Sequence, residues 1–290
     1  MGAILLDGAA VAAGIKSRLA EEIREMVSAS GLQPGLGSIL VGEDPASATY
    51  IERKHKACAE VGVVSVHEHL AAAITQEELH SVIDGMNRNA AIDAVLLQLP
   101  LPGHLDEEAA LLRVEPDKDV DGLHPVNLGR LVMGSEGPVP CTPAGIQTLL
   151  AHYDVPIDGK HVVVVGRGLT IGRPMALLLA LKRPNANAAV TVVHRGVPDL
   201  GAYTRQADII VAAAGSPGLI TPGMVKPGAA VVGGGITRSG KRILSDVDED
   251  VASVAGWVTP RIGGVGPMTI AMLLSNALAA ARRRAESTPH

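Results

Sequence analysis

The sequence predicts an α/β protein made of two domains. Its 290 residues fit two domains of roughly 100–200 residues each. Short apolar strands alternate with helical segments along the chain, a pattern typical of parallel sheets covered by helices. One strand, His161–Val165 (HVVVV), is a continuous apolar run of the kind that lies buried on both faces of such a sheet.

The first half alternates helices and strands, and caps mark several of their ends. In order, the predicted elements are a helix at Ala9–Val27, a strand at Leu36–Val41, a helix at Pro45–Val61, a strand at Val63–His69, a helix at Thr75–Asn87 and a strand at Ala94–Gln98. Asp44 before Pro45 is a strong helix start, and Gly62 is a good residue to end that helix. Thr75 and Glu78 have the spacing of a capping box.

The second half contains the elements of a doubly wound domain, placed at 141–264. Thr142, before Pro143, is expected to cap a helix that ends near His152. The elements that follow are the strand His161–Val165, a helix at Pro174–Lys182, strands at Val190–Val193, Asp208–Ala213 and Ala229–Val232, and a last helix at Met268–Arg284. The last helix need not belong to this domain.

Composition narrows the classes of function. Hydrophobic residues make up 47% of the chain, which is enough for a sizeable core. Aromatic residues make up only 1%, which argues against a protein that stacks single-stranded nucleic acid on its rings. The formal net charge of −5 gives no electrostatic reason to bind nucleic acid or an anionic membrane. We therefore expect neither nucleic acid nor a membrane as a partner.

Cysteine content and the N-terminus predict a cytoplasmic protein. Cys58 and Cys141 are too few for a disulfide framework, so two free thiols in a reducing compartment are expected. The segment after Met1 is too short and too uncharged to be a signal peptide. The longest uncharged run, at 262–281, begins with a glycine-rich turn and contains polar residues, so it predicts a buried helix rather than a membrane span.

A glycine loop follows the strand His161–Val165. Gly166, Gly168 and Gly172 have the spacing G-x-G-x-x-x-G, one residue longer than the usual dinucleotide fingerprint. Glycines let the backbone approach a pyrophosphate, and the N-terminus of the next helix supplies free N–H groups. The strand before the loop and the helix after it favour a dinucleotide site over a simple turn.

The arginines around this loop favour NADP over NAD. The strand after the glycine loop ends at His194-Arg195, where NAD enzymes usually carry an acid that binds the ribose. Arg195, together with Arg173 at the helix start, could pair with a ribose 2′-phosphate. The alternative is that both are ordinary surface arginines.

Three residues of the first half form a candidate catalytic group. Tyr50 and Lys54 are four residues apart, so they share one face of their helix. Such a pair is usually solvated, but Tyr50 is one of only four aromatic residues in the chain. Gln98 ends a buried strand, where ligand-contacting groups of α/β sheets commonly lie, although an ordinary strand-end amide is the plainer alternative.

The acidic stretch PDKDVDG (116–122) is similar to a calcium loop at first sight. An EF-hand loop that began at Asp117 would need Glu at its twelfth position, where this chain has Leu128. We therefore predict no metal site. The remaining interpretation is a rigid acidic loop that accepts hydrogen bonds from N–H groups of a ligand.

Six motifs in this order resemble the bifunctional methylenetetrahydrofolate dehydrogenase/methenyltetrahydrofolate cyclohydrolase family, over nearly the whole chain. They are GEDPASATYIERKHKAC (42–58), VLLQLPLP (95–102), PDKDVDGLHPVNLGRL (116–131), PCTPAGI (140–146), VVGRGLTIGRP (164–174) and GGVGPMT (263–269). The resemblance implies two Rossmann-like α/β/α lobes with a cleft between them, usually as a homodimer. It implies a folate-binding catalytic domain at 1–140, to which the C-terminal helix at 265–290 returns, and an NADP-binding domain at 141–264.

The resemblance also implies a reaction and roles for residues. NADP+ would oxidise 5,10-methylenetetrahydrofolate to the methenyl form, which would then be hydrolysed to 10-formyltetrahydrofolate. Lys54 would be the catalytic lysine, Tyr50 would stack on or position the folate, and Gln98 would hydrogen-bond and tune Lys54. Asp121 would bind the pterin edge. The expected cofactor-binding residues are, from the resemblance, Gly166, Arg167, Gly168, Arg195 and Ile236 and, from the glycine loop itself, Gly172 and Arg173.

Four departures from the family pattern fall in or near the cofactor lobe. Many members carry Ser at the position of Gly168, and VVGGGI (231–236) stands for a usual V-I-D-V-G-I, which removes an Asp. Ser245 replaces a usual Gly, and Ile262 replaces a usual Pro. These departures leave open a cyclohydrolase with weakened or lost dehydrogenase activity. A different two-lobed NADP-dependent dehydrogenase, of the shikimate or amino-acid type, would not explain the first-half residues together.

Overall fold

The computed structural model of the chain describes residues 2–239 and 242–287. Its helices and strands are, in chain order, β1 (Ile4–Leu5), α1 (Gly8–Ser30), β2 (Gly35–Val41), α2 (Pro45–Val61), β3 (Val64–Leu70), α3 (Gln76–Arg88), β4 (Ala94–Leu97), α4 (Glu107–Arg113), α5 (Pro125–Met133), α6 (Cys141–His152), β5 (His161–Val165), α7 (Gly172–Ala180), β6 (Ala189–Val193), α8 (Leu200–Thr204), β7 (Ile209–Ala212), β8 (Ala230–Gly233), β9 (Ile236–Ser239), β10 (Arg242–Ser245), β11 (Trp257–Val258) and α9 (Val265–Ser287). Short 3-10 turns lie at Pro222–Met224 and Glu249–Ser253.

The chain divides into two compact units, which we name by their sheets. The three-stranded unit contains Ala13–Arg130, Glu136–Val139 and the chain from Ile270 onward. The six-stranded unit contains the chain up to Ala12, Leu131–Ser135 and Pro140–Thr269. The predicted α/β class is confirmed, and so is the return of the C-terminal helix to the first lobe, since α9 groups with the three-stranded unit from Ile270.

Both sheets are parallel. The strand order is β3-β2-β4 in one unit and β1-β11-β8-β7-β5-β6 in the other. The antiparallel pair β9–β10 forms a separate hairpin. Strand β5 lies between β7 and the edge strand β6 of the larger sheet, and its residues Val162–Val165 are all completely buried. A strand buried on both faces explains why its sequence is a continuous apolar run.

The N-terminal residues lie apart from the domain predicted for them. Residues up to Ala12 group with the six-stranded unit, whereas the predicted boundary places 1–140 together. The physical reason is a parallel pairing of β1 with β11, in which Ile4 lies opposite Trp257 and Leu5 opposite Val258. Residues 1, 240–241 and 288–290 of the predicted ranges lie outside the described residues.

Local capping signals account for the predicted helix ends in the first half. The Asp44 carboxylate accepts a hydrogen bond from Ser47 N at 2.8 Å, and Gly62 ends α2 in the left-handed region, with φ of 88°. Thr75 and Glu78 form both halves of a capping box at the start of α3. These signals satisfy backbone N–H groups that would otherwise lack partners at the helix ends.

The helix starts of the second half differ from the prediction. Helix α6 begins at Cys141, and Thr142 does not cap it, because the Thr142 hydroxyl lies 3.0 Å from the Thr269 hydroxyl instead. Helix α7 begins at Gly172 rather than Pro174. Within the described ranges, none of the helices combines the length and apolar character needed to cross a membrane.

Candidate active site

Lys54 is a buried lysine at the centre of the candidate catalytic group. Its side chain is only 3% exposed. Its Nζ atom donates a hydrogen bond to Gln98 Oε1 at 3.3 Å and lies 4.9 Å from the centre of the Tyr50 ring. A buried lysine nitrogen needs polar partners, and here an amide oxygen and the face of an aromatic ring provide them. The structure therefore brings together Tyr50, Lys54 and Gln98.

Elements α2 and β4 hold this group in place. Tyr50 and Lys54 lie one helical turn apart on α2. Gln98 directly follows the fully buried β4, and its backbone N–H donates to Ile39 O at 2.9 Å. The amide nitrogen of Gln98 donates to Leu99 O at 2.8 Å, which leaves Oε1 as the atom that faces Lys54.

A polar network lies beside Lys54 on the same helix. The His55 ring contacts Ser65 Oγ at 2.8 Å and Ser38 Oγ at 2.9 Å, and Ser38 Oγ lies 3.0 Å from His67 Nδ1. Burial is the main cause that lowers the pKa of both His55 and His67, and the charge of Lys54 lowers that of His55 further. Sequence reasoning missed this network, because the parallel pairing of Ser38 with His67 creates it.

Cys58 follows Lys54 by one helical turn and is completely buried. Burial raises the pKa of its thiol to about 12. A thiol with so high a pKa is not a nucleophile near neutral pH. Cys58 is therefore not a candidate nucleophile, and Lys54 remains the candidate reactive group on α2.

The acidic loop 116–122 is anchored by Asp119. This carboxylate is 4% exposed and accepts hydrogen bonds from Gly122 N, His124 N and the Asn127 amide at 2.8–3.1 Å. Burial raises the pKa of Asp119. The loop also runs along β4, where Val95 N donates to Lys118 O at 2.6 Å. These bonds make the loop rigid.

Asp121 differs from Asp117 and Asp119 of the same loop, whose carboxylates have side-chain hydrogen-bond partners. It is half-buried, and within residues 2–239 and 242–287 no hydrogen bond or ion pair reaches its carboxylate. Its two oxygens are therefore available as acceptors for N–H groups.

The same described ranges contain no group of three His, Cys, Asp or Glu side chains placed to hold a metal ion.

The glycine loop lies at the carboxyl end of β5. Gly166 has φ of 129°, and a Cβ there would lie 2.0 Å from Ala213 O. A Cβ on Gly172 would lie 2.3 Å from Gly166 O. Only glycine fits at these two positions, whereas Gly168 has no atom near the place of a Cβ, so the space there would admit a serine.

Three arginines surround the glycine loop. Arg167 and Arg173 lie within it and at the start of α7, and Arg195 follows β6. All three are exposed, and none forms an ion pair with an acid in the described part of the chain. Ile236, at the start of β9, is also exposed, at 56%. These side chains can therefore reach an anionic ligand or an apolar ligand face.

Asp246 is a buried acid that sequence reasoning missed. It is completely buried, and its carboxylate accepts hydrogen bonds from the backbone of Ala214, Gly215 and Ser216 at 2.6–2.9 Å. In the sequence it lies in the acidic run SDVDED (245–250), a pattern that is typical of a solvated surface segment. No local pattern distinguishes it, because its partners lie about 30 residues away.

The strand order of the larger sheet places a crevice between the loops after β5 and β7. From β5 the chain moves outward to β6 and then returns to the other side of β5 as β7. In open α/β sheets, ligands bind outside the carboxyl ends of the strands at such a switch point. Fold and sites together define an enzyme of two α/β units, with a dinucleotide-type site on one sheet and a buried lysine at the end of the other.

Comparison with known proteins gives the family. Residues 6–121 match the catalytic domain of tetrahydrofolate dehydrogenase/cyclohydrolase, and residues 140–285 match the NAD(P)-binding domain of the same family. The chain belongs to this tetrahydrofolate dehydrogenase/cyclohydrolase family, which confirms the resemblance seen in the sequence.

Individual relatives match over the full chain. The bifunctional protein FolD of Syntrophotalea carbinolica is 54% identical over 98% of both chains. The crystal structure of FolD from Campylobacter jejuni, a methylenetetrahydrofolate dehydrogenase/cyclohydrolase, is 45% identical with a TM-score of 0.92 and covers 97% of this chain and 99% of that one. The Trypanosoma brucei enzyme, solved with NADP cofactor and inhibitor, is 40% identical with a TM-score of 0.94, over 99% of this chain and 100% of that one.

A more distant likeness concerns the alternative of another two-lobed dehydrogenase. Shikimate 5-dehydrogenase from Thermus thermophilus is 18% identical with a TM-score of 0.52, over 86% of this chain and 99% of that one. At this identity the likeness shows the fold alone. The shikimate-type alternative therefore has no support beyond a shared architecture.

Proposed function

We propose that this chain oxidises 5,10-methylenetetrahydrofolate with NADP+ and then hydrolyses the methenyl product to 10-formyltetrahydrofolate. The observation that carries this proposal is the buried Lys54 held by Gln98 and Tyr50, in the part of the chain that matches the family's catalytic domain. The Campylobacter jejuni and Trypanosoma brucei enzymes, which match over nearly the full chain, are both named as methylenetetrahydrofolate dehydrogenase/cyclohydrolases.

The three-stranded unit supplies the groups for the folate. Tyr50 offers a half-exposed ring on which a flat pterin-bearing ligand can stack. Asp121 offers carboxylate oxygens to the N–H groups at the pterin edge. Lys54 Nζ is the group that can hold and move a proton during water attack on the methenyl carbon, and Gln98 orients it. Addition of water opens the methenyl bridge and releases one proton to this nitrogen or to solvent.

The six-stranded unit fits NADP. Gly166 and Gly172 let the loop pack tightly against protein backbone, whereas the space beside Gly168 is open, so a pyrophosphate can approach the backbone there. Arg173 and Arg195 can pair with a ribose 2′-phosphate. Arg167 on the glycine loop adds a third positive charge near this site. When bound, NADP+ supplies the hydride acceptor for the oxidation. The residues present bind it and fix its orientation.

Two of the departures from the family pattern compensate each other in space. A Cβ on Gly233 would lie 2.7 Å from Ser245 Oγ, so the Ser245 hydroxyl fills the volume that a side chain at 233 would need. Gly233 N donates to Thr259 Oγ1 at 2.8 Å and remains satisfied. Because the two changes compensate each other, they support a cofactor site that keeps its packing and its dehydrogenase activity, rather than one that has lost them.

We also propose that the protein acts as a homodimer. Strand β3 lies at the edge of its sheet, and Val64 and Val66 on it are 48% and 41% exposed. An exposed, seven-residue edge strand that carries two exposed valines is a template for pairing with another chain, and β3 of a second copy would cover it by symmetry. Cys58 and Cys141 are both buried and no disulfide joins them, which supports a place in the reducing cytoplasm. The net charge of −5 supports the absence of nucleic acid as a partner.

One absorbance assay tests the proposed function. The purified protein is mixed with methylenetetrahydrofolate and either NADP+ or NAD+, and reduced cofactor and methenyl intermediate are followed together. We expect reduction of NADP+ and a methenyl intermediate that decays. Hydrolysis of added methenyltetrahydrofolate without reduction of either cofactor would instead establish a cyclohydrolase that has lost its dehydrogenase activity.

A further inference from the structure

We propose that Asp246 is a positioning residue for the dinucleotide, because it fixes the loop after β7 that forms one wall of the crevice. This proposal rests on the proposed function. Asp246 is completely buried in the six-stranded unit. It lies one residue after the β9–β10 hairpin, away from the glycine loop in sequence. Its importance is visible only from its contacts.

The Asp246 carboxylate holds three consecutive backbone N–H groups. Oδ2 accepts from Ala214 N at 2.6 Å and from Gly215 N at 2.9 Å, and Oδ1 accepts from Ser216 N at 2.6 Å. Successive N–H groups that point to one place form a concave anion site, which here contains the protein's own carboxylate. Hydrogen bonds to an ionised acceptor are short and roughly twice as strong as neutral ones. The loop is therefore fixed in one conformation.

This loop lies directly against the glycine loop. Ala213 N donates to Val165 O at 2.7 Å, and Ala213 O occupies the place of a Cβ on Gly166. The segment 213–216 therefore borders the glycine loop on the β7 side of the switch point. A displacement of this segment would move the backbone beside the expected pyrophosphate.

The Asp246 carboxylate also packs against the backbone that directly follows β8. A Cβ on Gly235 would lie 2.0 Å from Asp246 Oδ2, so the carboxylate occupies the space beside this glycine. Gly235 N donates to Ala212 O at 2.8 Å, and Asp246 N donates to Gly235 O at 3.2 Å. The next residue is Ile236, an expected cofactor contact. One buried acid thus couples two walls of the crevice, the loop after β7 and the strand end before Ile236.

The test compares Asp246→Asn with Asp248→Asn. The Asp248 carboxylate only caps the 3-10 turn that follows it, through Asp250 N, so its variant is a matched control in the same segment. In Asp246→Asn, the amide NH₂ would oppose a backbone N–H. We expect the KM for NADP+ and the Kd for NADPH, measured by fluorescence titration, to rise at least tenfold. We expect kcat at saturating NADP+ and cofactor-free hydrolysis of methenyltetrahydrofolate to stay within threefold, and Asp248→Asn to keep wild-type values.

Hydrogen–deuterium exchange of the free protein gives a readout that does not depend on the cofactor. Amides 214–216 should exchange faster in Asp246→Asn than in the wild type or in Asp248→Asn. A folded Asp246→Asn protein with unchanged exchange and unchanged NADPH affinity would overturn the proposal. Equal losses in hydrolysis and in cofactor binding would also overturn it, because they would indicate general destabilisation.

A second variant keeps the carboxylate but displaces it. Gly235→Ala places a Cβ on the Asp246 oxygen, so we expect the same rise in KM and Kd for the cofactor with hydrolysis preserved. If Asp246→Asn does not fold, this variant decides alone, and wild-type affinity in it would refute the proposal. A wild-type protein that neither binds NADPH nor reduces NADP+ would refute the proposed function itself. Comparison of each variant with the wild type therefore separates failure of the Asp246 proposal from failure of the proposed function.

Discussion

At the scale of single residues, Lys54 is the group whose loss should separate the two proposed activities. General acid–base catalysis contributes about 10²–10⁴ to a rate, so Lys54→Ala should lower cyclohydrolase kcat at least 100-fold. Oxidation depends chiefly on proximity and orientation, so it should fall less. The measurement is the decay of methenyl absorbance, with Lys56→Ala, an exposed lysine on the same helix, as control. Wild-type hydrolysis in Lys54→Ala would remove Lys54 from the mechanism.

The histidines beside Lys54 predict how stability depends on pH. The pKa values of His55 and His67 are lowered in the folded state, so the unfolded chain binds protons first as the pH falls. The free energy of unfolding should therefore decrease as the pH falls below about 6.5, the ordinary histidine pKa. Urea unfolding at pH 7.5 and at pH 5.5 measures this.

A pair of variants assigns this pH dependence to its source. His55→Gln removes one half-buried titrating ring and should reduce the loss of stability between the two pH values. His152→Gln, which replaces an exposed histidine of the other unit, should leave it unchanged. If both variants lose stability on acidification as steeply as the wild type, His55 does not contribute to it.

At the scale of elements, one ion pair anchors the end of α9. Arg284 Nε lies 2.9 Å from Asp93 Oδ1, and the Asp93 side chain is completely buried. Arg284→Met would remove the cation that pairs directly with this buried carboxylate, which should lower the free energy of unfolding by about 3 kcal/mol. Asp93 would keep its hydrogen bond from Gly35 N at 2.8 Å, so the fold should survive.

Arg282 on the same helix is the control for this prediction. It pairs with Glu22 at 2.7 Å, but both side chains are substantially exposed. Exposed ion pairs contribute about 0–1 kcal/mol, so Arg282→Met should change the free energy of unfolding very little. Chemical denaturation of both variants measures the difference. Equal effects from the two substitutions would show that burial of Asp93 is not what makes the Arg284 pair important.

At the scale of the whole molecule, the edge strand β3 predicts the oligomeric state. Val66→Lys places a charge on the proposed dimer edge and should raise the dimer dissociation constant at least tenfold, as measured by light scattering during gel filtration. Val192→Lys, at a valine of similar exposure on the edge strand β6, should leave the dimer intact. A wild-type protein that is monomeric at micromolar concentration would contradict the proposed homodimer.

Much of the architecture follows from local signals in the sequence. The caps at Asp44, Gly62 and Thr75, and the apolar run of β5, need no knowledge of distant residues. Tyr50 and Lys54 are related by helical spacing alone. The short strands β1 and β11 carry too few residues for a periodic signal, and each is defined by its pairing partner.

The parts of the sites that could not be predicted depend on register between distant segments. Ser38 lies beside His67 because β2 pairs with β3, and Asp246 lies beside Ala214 because a hairpin returns the chain to that loop. Neither relation leaves a pattern in the sequence near the residue concerned. The role of Asp246 is therefore recognised only once its backbone partners are known.

The pairing of β1 with β11 also affects how the protein is made on the ribosome. The first strand leaves the exit tunnel early, but its partner at Trp257 follows only after most of the chain has been translated. At about 5–20 residues per second, Ile4 and Leu5 wait roughly 13–50 seconds for Trp257 and Val258. During that interval two apolar residues, about half exposed even in the finished fold, remain without a partner strand. Nascent chains stalled before residue 257 should therefore be the species that chaperones hold.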